Sequence, residues 1–552
     1  MKDKLEKVWN LRRFLFSWGA GALMALAHFT ARHLVYEGVT PPGLAGKGLL
    51  FLQSVLWGLI PGIFVYLVLL LFDLLGQVGK QKKEEAGARH PELVRWLPVI
   101  LAAVIFACWI PVFLAYFPGI MSYDCHRQFS NAYKGYIFFY GLHPILHTAL
   151  IRWGLLIGEF FGSYEAGIAV YSLVQMLVLS LILGYSCQVV TRITGKLIPA
   201  FVMMAVYALV PFHPVLAMCV TKDIYFSAFF LLTVLLIWES FQQHSRGARF
   251  LICLGMIASG ILSAQFRNNA IYAYAVFGIL AVLFGKGHRM KALICGLCIV
   301  LGAYGAGEGL YAVIGAIRGP KIEMASVPLA QMSRAAVLNY TDLDEETMAI
   351  LDKYFPDNVW TNYNPIIIDA VKSMVPGSVW FEDTGETLSA WARMGCKYPN
   401  EYLDAFLVLN VGYWYMEDRT HAESLGYGDD TEYGLIYTFN YTDQIEDFEG
   451  VKNISYLPGL KAVYAHVLNG NAYENWPVLK YLFKPALYFW LLLLSMLALW
   501  YLRKYRALLF SFLPFLYQMT MFLGPTVNFR YIYPLAITVP VFLALVFGAQ
   551  RK

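Results

Sequence analysis

Charge is what this sequence has least of. Only 14% of its 552 residues are Asp, Glu, Lys or Arg, against about 25% in an ordinary globular chain, which excludes a soluble enzyme of ordinary build. Cysteine is thin too: eight residues, six of them inside apolar runs (Cys108, Cys187, Cys219, Cys253, Cys295 and Cys298), so a disulfide-stapled fold is excluded. Cys295 and Cys298 have the spacing of a metal or redox pair. They stand mid-run with no histidine or second pair beside them and read as buried, inert thiols. No G-x-S-x-G elbow and no phosphate-binding G-x-x-x-x-G-K-[ST] loop occurs to suggest nucleophile-elbow or P-loop chemistry. The acid pairs Glu382-Asp383, Asp429-Asp430 and Glu446-Asp447 lack the spacing of a calcium loop and read as solvated acidic surface. The opening MKDKLEKVWNLRR resembles a signal's basic start, yet no small-residue cleavage site follows, so the first apolar run is read as an uncleaved span.

Apolar residues fill the space that charge leaves: 59% of the chain is hydrophobic. Runs of roughly 18 to 25 apolar residues recur, each long enough to cross about 30 Å of hydrocarbon. The fold class is therefore an all-α polytopic membrane protein. Twelve spans are expected, near 12–31, 47–76, 95–116, 166–190, 196–212, 223–240, 250–264, 270–285, 291–312, 478–501, 507–525 and 531–548. Residues 1–312 would form an N-terminal membrane domain with an external loop at 117–165, and 478–552 the last helices. Residues 313–477 are different material, holding 24 of the 37 acidic residues against 10 Lys and Arg. Helical stretches at 343–354, 364–374, 385–394 and 399–409 make this a mainly helical, soluble domain large enough to bury its own core.

Lys and Arg in short loops set the orientation. With the N-terminus in the cytoplasm, the cytoplasmic loops are GQVGKQKKEEAGARHPELVR, TRITGK, QQHSRGAR, GKGHRMK, RKYR and the tail GAQRK, all rich in Lys and Arg. The segments 32–46, 117–165, 213–222, 267–269, 313–477 and GPTVNFR then lie outside. The alternation holds only if 144–161 (PILHTALIRWGLLIGEFF) does not cross. With Arg152 and Glu159 inside it, this run reads as a juxtamembrane helix on the outer face.

Ionisable residues at the outer ends of the spans supply the candidate site. Asp124 follows the third span in PGIMSYDCHRQF. Lys222-Asp223 opens the sixth, Arg267-Asn268-Asn269 lies between the seventh and eighth, and Arg530 begins the last in NFRYIYP. A single charge at a span end snorkels to water. Four loops bringing Asp, Lys-Asp, Arg-Asn-Asn and Arg to one depth suit a ligand with a phosphate and hydroxyls. Cations would pair the phosphate and a carboxylate would take a hydroxyl proton. Asp124 is the candidate base; its alternative reading is the N-cap of a short helix beginning at Cys125. His143, made extended by Pro144, is as suited to structural hydrogen bonding as to ligand contact, and Arg127 and Asn268 are further candidates for touching substrate. His126 and His147 could join Asp124 around a metal, though the spacing fits no standard ligand set. His213-Pro214 reads as a turn ending the fifth span.

An external acid after an early span, an aromatic loop and then His-Pro entering a juxtamembrane helix resemble the GT-C superfamily of membrane glycosyltransferases, such as protein O-mannosyltransferases and the aminoarabinose transferases of lipid A. YDCHRQF stands at the acid motif, TKDIYFSAF at a second acidic position, and NFRYIYPLAI at the C-terminal Arg-Tyr-x-x-Pro pattern. The chain is similar also to the bacterial DUF6020 family, through PGIMSYD, HPILHT, TKD, FRNNA, VPLAQMSR, YNPIIIDAVK and KYPNEYLDAF. The resemblance implies a GT-C-like fold and a polyprenyl-phosphate-linked sugar as donor. Asp124 would be catalytic base, Asp223 a second catalytic acid for metal or acceptor, and Arg530 a donor-phosphate ligand. Lys222 and Arg267 join the phosphate set on electrostatic grounds. Cys125 follows Asp124 where mannosyltransferases pair Asp with Glu, and a divalent cation (Mg or Mn) stays open as cofactor.

The expected activity is inverting transfer of a sugar from polyprenyl phosphate to an extracytoplasmic glycan, lipid or protein of the bacterial cell envelope, at the plasma membrane and without nucleic acid. A transporter or flippase of lipid-linked sugars is the competing class, and would show paired halves with broken helices. A polysaccharide polymerase or ligase would lean on external Arg and His, and a scaffold would need none of these charges.

Overall fold

Apolar runs become helices because hydrocarbon offers the backbone no hydrogen-bonding partner outside the helix itself. In the computed structural model of the chain, the described residues are 10–81, 91–121, 124–133, 140–285, 287–416, 419–421, 432–434, 447–448, 450–470 and 472–548. Asp429-Asp430, Glu446 and the basic stretch 82–90 lie outside them. The chain is an apolar helical membrane protein. Among the described residues six helices are long and apolar enough to cross: Leu11–Glu37, Trp96–Ala115, Tyr164–Thr194, Arg246–Phe266, Arg289–Ile314 and Phe529–Phe547. Two bent pairs, Gly43–Trp57 with Leu59–Leu71 and Ile198–Leu209 with Phe212–Met218, bring the number to eight if each is one span. The remaining runs fall short on length or charge. Ala270–Phe284 has 15 residues and Pro485–Tyr501 has 17, below the roughly 20 that span hydrocarbon upright. Lys222–Glu239 begins and ends in charge.

Two expectations change. His213-Pro214 is not a turn. The chain bends by 63° between Leu209 and Phe212, and both residues lie in the following short helix, where a proline in the first turn costs no hydrogen bond. Cys295 is buried but Cys298 is exposed, because on a membrane helix the outward face meets lipid and an apolar thiol belongs there as well as inside.

The expected outer segments gather at one end of the molecule. Thr40 donates through its backbone N–H and its hydroxyl to the Asp404 carboxylate at 3.0 and 2.7 Å. Tyr140-Gly141 pairs in parallel with Ile317-Arg318, and Ile454 N–H donates to Phe117 O at 2.8 Å. The basic loops gather at the other end: Arg192 binds Glu239, Lys291 donates to Ser240 O at 2.9 Å, and Lys504 donates to the carbonyls of Leu545, Val546 and Gly548. A cavity of about 1760 Å³ opens among these residues, a full helix length from Lys222.

The helix Ile145–Phe161 does not cross between the two ends. His147 meets Tyr171, and Gly154 and Gly158 meet Gly167 and Tyr164, so it runs antiparallel to the start of Tyr164–Thr194. That 31-residue helix is about 46 Å long, more than a bilayer core requires. The shorter helix packs on its first turns, with Trp153, Phe160 and Phe161 exposed.

Residues 322–409 hold a second core built on Leu329, Leu351, Trp360, Val371 and Trp380. The helices expected at 343–354, 385–394 and 399–409 form, whereas 364–374 is helical only over Asp369–Met374; Asp344 caps Glu345–Tyr354 by accepting from Thr347 N–H at 3.1 Å. This core ends at Leu409. Tyr413, Tyr415, Val451, Leu468 and Tyr473 belong instead to the main membrane core, so the region 313–477 is one helical domain followed by a return to the bundle.

Candidate functional site

Backbone pairing brings the two acidic motifs together. After the helix Pro91–Ala115, Ile120 pairs in parallel with Cys219: Ile120 N–H donates to Met218 O at 3.0 Å and Val220 N–H to Ile120 O at 2.7 Å. Asp124 then opens the helix Asp124–Tyr133, and Thr221 precedes Lys222–Glu239. Gly119 makes this possible. Its φ of +146° is one that side chains avoid, and a Cβ would strike Ser172 Oγ. Gly119→Ala should therefore cost about 1–3 kcal/mol, read as a lower midpoint of thermal unfolding in detergent; an unchanged midpoint would show that the pairing tolerates a side chain.

The last cation arrives by a different route. Thr526 Oγ1 donates to Ile366 O at 2.9 Å and Ile368 N–H to Pro525 O at 3.0 Å, so the acidic domain grips the loop just before Arg530. Asn528 caps the final helix by accepting from Arg530 N–H at 3.1 Å.

Five charged side chains and one histidine converge. Lys222 Nζ donates to Asp124 Oδ2 at 2.9 Å and to His143 Nδ1 at 3.1 Å. Arg530 reaches both carboxylates, Asp124 Oδ2 at 3.3 Å through Nη1 and Asp223 Oδ2 at 3.5 Å through Nε. Arg267 binds Asp223 Oδ1 and lies 4.3 Å over the Tyr531 ring, while Arg530 Nη2 donates to the Tyr531 hydroxyl at 3.1 Å. Asp223 is fully buried and Arg530 nearly so, whereas Asp124 keeps 24% of its side chain exposed. Asp124 is thus the accessible carboxylate. Asp223, expected as a second catalytic acid, lies without exposed surface as an anchor between two guanidiniums.

Arg127 and His126 are exposed on the helix Asp124–Tyr133. Asn268 is exposed at the turn before Ala270 and lies outside the cluster; its neighbour Asn269 is the one that ties the turn, donating to Thr520 Oγ1 at 2.7 Å. His147 does not join Asp124. It sits in a buried chain beneath the site, Nδ1 at 2.9 Å from Gln128 Oε1 and Nε2 at 2.7 Å from the Tyr171 hydroxyl. Tyr171 donates to Gln175, whose Nε2 donates to the carbonyls of Ala217 and Cys219. Gln175, Tyr171, Gln128 and Tyr531 were not anticipated: a glutamine or tyrosine in an apolar helix looks like any other half-polar core residue until its partners are known.

Residues 137–552 match a family described as of unknown function, DUF6020. The chain belongs to the DUF6020 family. No curated protein and no solved structure matches it. The matched stretch contains His143, Lys222, Asp223, Arg267 and Arg530, while Asp124 and Arg127 precede it.

The electrostatics of this DUF6020 site follow from the geometry. Burial opposes ionisation of Asp124, but Arg530, Lys222 and His143 outweigh it and hold the carboxyl well below the usual carboxylate range. Burial, with Lys222 adding to it, pushes His143 down to about 4; burial, with Lys222 and His143 adding to it, pushes His147 down to about 3. Both rings are neutral at pH 7. A histidine whose folded pKa lies below its unfolded 6.5 loses protons on folding, so stability falls as pH drops from 6.5 toward the folded value and levels below it. His143→Gln should flatten that fall between pH 6.5 and about 4; urea midpoints across this range would test it, and an unchanged slope would refute it.

The same geometry argues against a divalent cation. Among the described residues no three His, Cys, Asp or Glu side chains are grouped so as to hold a metal ion. Both carboxylates face Arg530, and a second cation stands on each. Residues that fit a cation would present oxygens to it; here the positive groups are already the protein's own.

Proposed function

We propose that the chain is a glycosyltransferase of GT-C type that moves a sugar from polyprenyl phosphate to an acceptor hydroxyl on the outer face of the bacterial plasma membrane. The observation that carries this reading is the charge balance of the cluster. Three cations, Lys222, Arg267 and Arg530, face two carboxylates, and the surplus positive charge beside a partly exposed Asp124 suits a phosphate next to a group that can take a proton. In the reaction the acceptor oxygen forms a bond to the anomeric carbon as its proton passes to Asp124. The bond from that carbon to the phosphate oxygen breaks, and its electron pair leaves with the lipid phosphate. Lys222, Arg530 and, through Asp223, Arg267 stabilise the charge that develops there.

The sidedness follows from the gathering of basic loops at the end opposite the site, which the positive-inside rule assigns to the cytoplasm. Twelve crossings then follow if the shorter apolar helices also span, as tilted or locally thinned bilayer permits. The domain of residues 322–409, touching the loop before Arg530, is placed to choose the acceptor, a cell-envelope glycan, lipid or protein.

The test is release of lipid phosphate from a labelled polyprenyl-phosphoryl sugar by the purified protein in nanodiscs. Absence of release across common donor sugars, with cell-envelope extract as acceptor, would overturn the reading. Arg530→Gln should raise the donor KM by about tenfold or more, the loss of one charge-assisted contact; an unaltered KM would remove Arg530 from the phosphate site.

A further inference from the structure

A carboxylate bound by cations is a poor base, and the cluster contains its own remedy. We propose that the substrate's phosphate is the switch that frees Asp124, drawing Lys222 and Arg530 from Oδ2 so that the carboxylate takes a proton only when donor is present. This rests on the reading of the site as a phosphate site and adds to it an order of events.

Three features of the geometry support it. Among the described residues the cations and the histidine beside Asp124 meet it at one oxygen: Lys222 at 2.9 Å, Arg530 at 3.3 Å and His143 at 3.9 Å from Oδ2. One displacement therefore relieves the whole restraint. Arg530 does not depend on Asp124 for its place, because Asp223 and Tyr531 hold it as well, and it can turn to a phosphate without leaving the pocket. Finally, Lys222 is an ammonium and can only donate, so its contact with His143 Nδ1 places the ring proton on Nε2. That Nε2–H is buried, with no hydrogen-bond partner among the described residues. An unpaired buried donor costs about 1–3 kcal/mol, a cost that a phosphate oxygen accepting from it would remove.

The groups facing Asp124 come from every neighbouring element: Lys222 from the helix Lys222–Glu239, Arg530 from the final helix and His143 from the loop before Ile145. Cys125 comes from its own helix, with Cys219 behind it. Arg127, exposed on the same helix, faces His143. With phosphate present the two cations are shared, and the loss of their pull returns Asp124 toward the ordinary carboxylate range or above it, since the phosphate is a like charge.

The test measures protons, not turnover. The probe is farnesyl methyl phosphate, a diester with no titrating proton of its own between pH 4 and 7. Its binding to the full chain in detergent is followed by calorimetry in buffers of different ionisation enthalpy. Binding should be accompanied by proton uptake that grows as the pH falls through the range of about 4–6, and Asp124→Asn should bind the diester without that uptake. Binding with equal uptake in wild type and Asp124→Asn, or with none in either, would overturn the switch while leaving a phosphate site. No binding, or binding indifferent to Lys222→Met and Arg530→Gln, would overturn the phosphate site itself and the switch with it. His143→Phe, which removes the Nε2–H, should weaken the diester by about 3- to 10-fold, the value of one hydrogen bond, with the circular dichroism spectrum unchanged.

Discussion

Asp124→Asn is expected to lower sugar transfer by about 10²- to 10⁴-fold, the usual contribution of a positioned general base, while donor binding tightens. The two effects have one cause. Asparagine cannot hold a proton, so the acceptor hydroxyl is not activated; it also carries no charge, so the surplus of the cluster rises and a phosphate is held more strongly. A fall in kcat together with a fall in KM is the signature. Stability should fall by the contribution of the carboxylate charge, moderated because the amide oxygen can still accept from Lys222 and the side chain is partly in water. Wild-type kcat in Asp124→Asn would dismiss Asp124 as the base. The pH behaviour has a definite sign as well. A carboxyl held below its unfolded pKa adds stability above the usual carboxylate range, and that contribution is lost as pH falls through the lower folded value. The wild type should therefore lose the Asp124 contribution only below about pH 4, and Asp124→Asn should lack that final acid step.

The second large effect falls on folding. Asp223 has no exposed surface and stands between Arg267 and Arg530. Asp223→Ala would leave the Arg267 guanidinium without its counter-ion and Arg530 with Asp124 alone, which costs about 3–5 kcal/mol when one partner of a buried pair is removed. A fall in the detergent unfolding midpoint far greater than that of Asp124→Asn is expected. The double variant Asp223→Ala, Arg267→Met should recover part of the loss, because one orphaned cation goes with the carboxylate. If Asp223→Ala unfolds no sooner than wild type, the central ion pair is not what fixes Arg530, and the anchor role is wrong.

The two carboxylates illustrate why the candidate site could be half read from the chain. Depth was legible: each of Asp124, Lys222, Asp223, Arg267 and Arg530 lies at the end of an apolar run, and runs of similar length place their ends in similar planes. Roles were not. Burial separates the accessible Asp124 from the buried Asp223, and burial depends on Arg530 arriving from a segment some 300 residues away. Asn268 shows the same limit. Arg267 and Asn268 are adjacent in sequence, yet a helix end turns one into the cluster and the other away from it. His147 failed as a metal ligand because the helix carrying it packs on Tyr164–Thr194, which faces the ring toward Gln128 and Tyr171. His143, four residues earlier and before the helix begins, faces Lys222.

By itself the sequence determined that the protein is helical and apolar enough for a membrane, and that its basic loops and its acidic domain belong to opposite ends. These follow from solvation: hydrocarbon forces the backbone into helices, and charge must stay at the ends. Only the tertiary structure decided which charges are partners. Ion pairs form at a few ångströms between segments hundreds of residues apart, and no local pattern of residues encodes a distance of that kind.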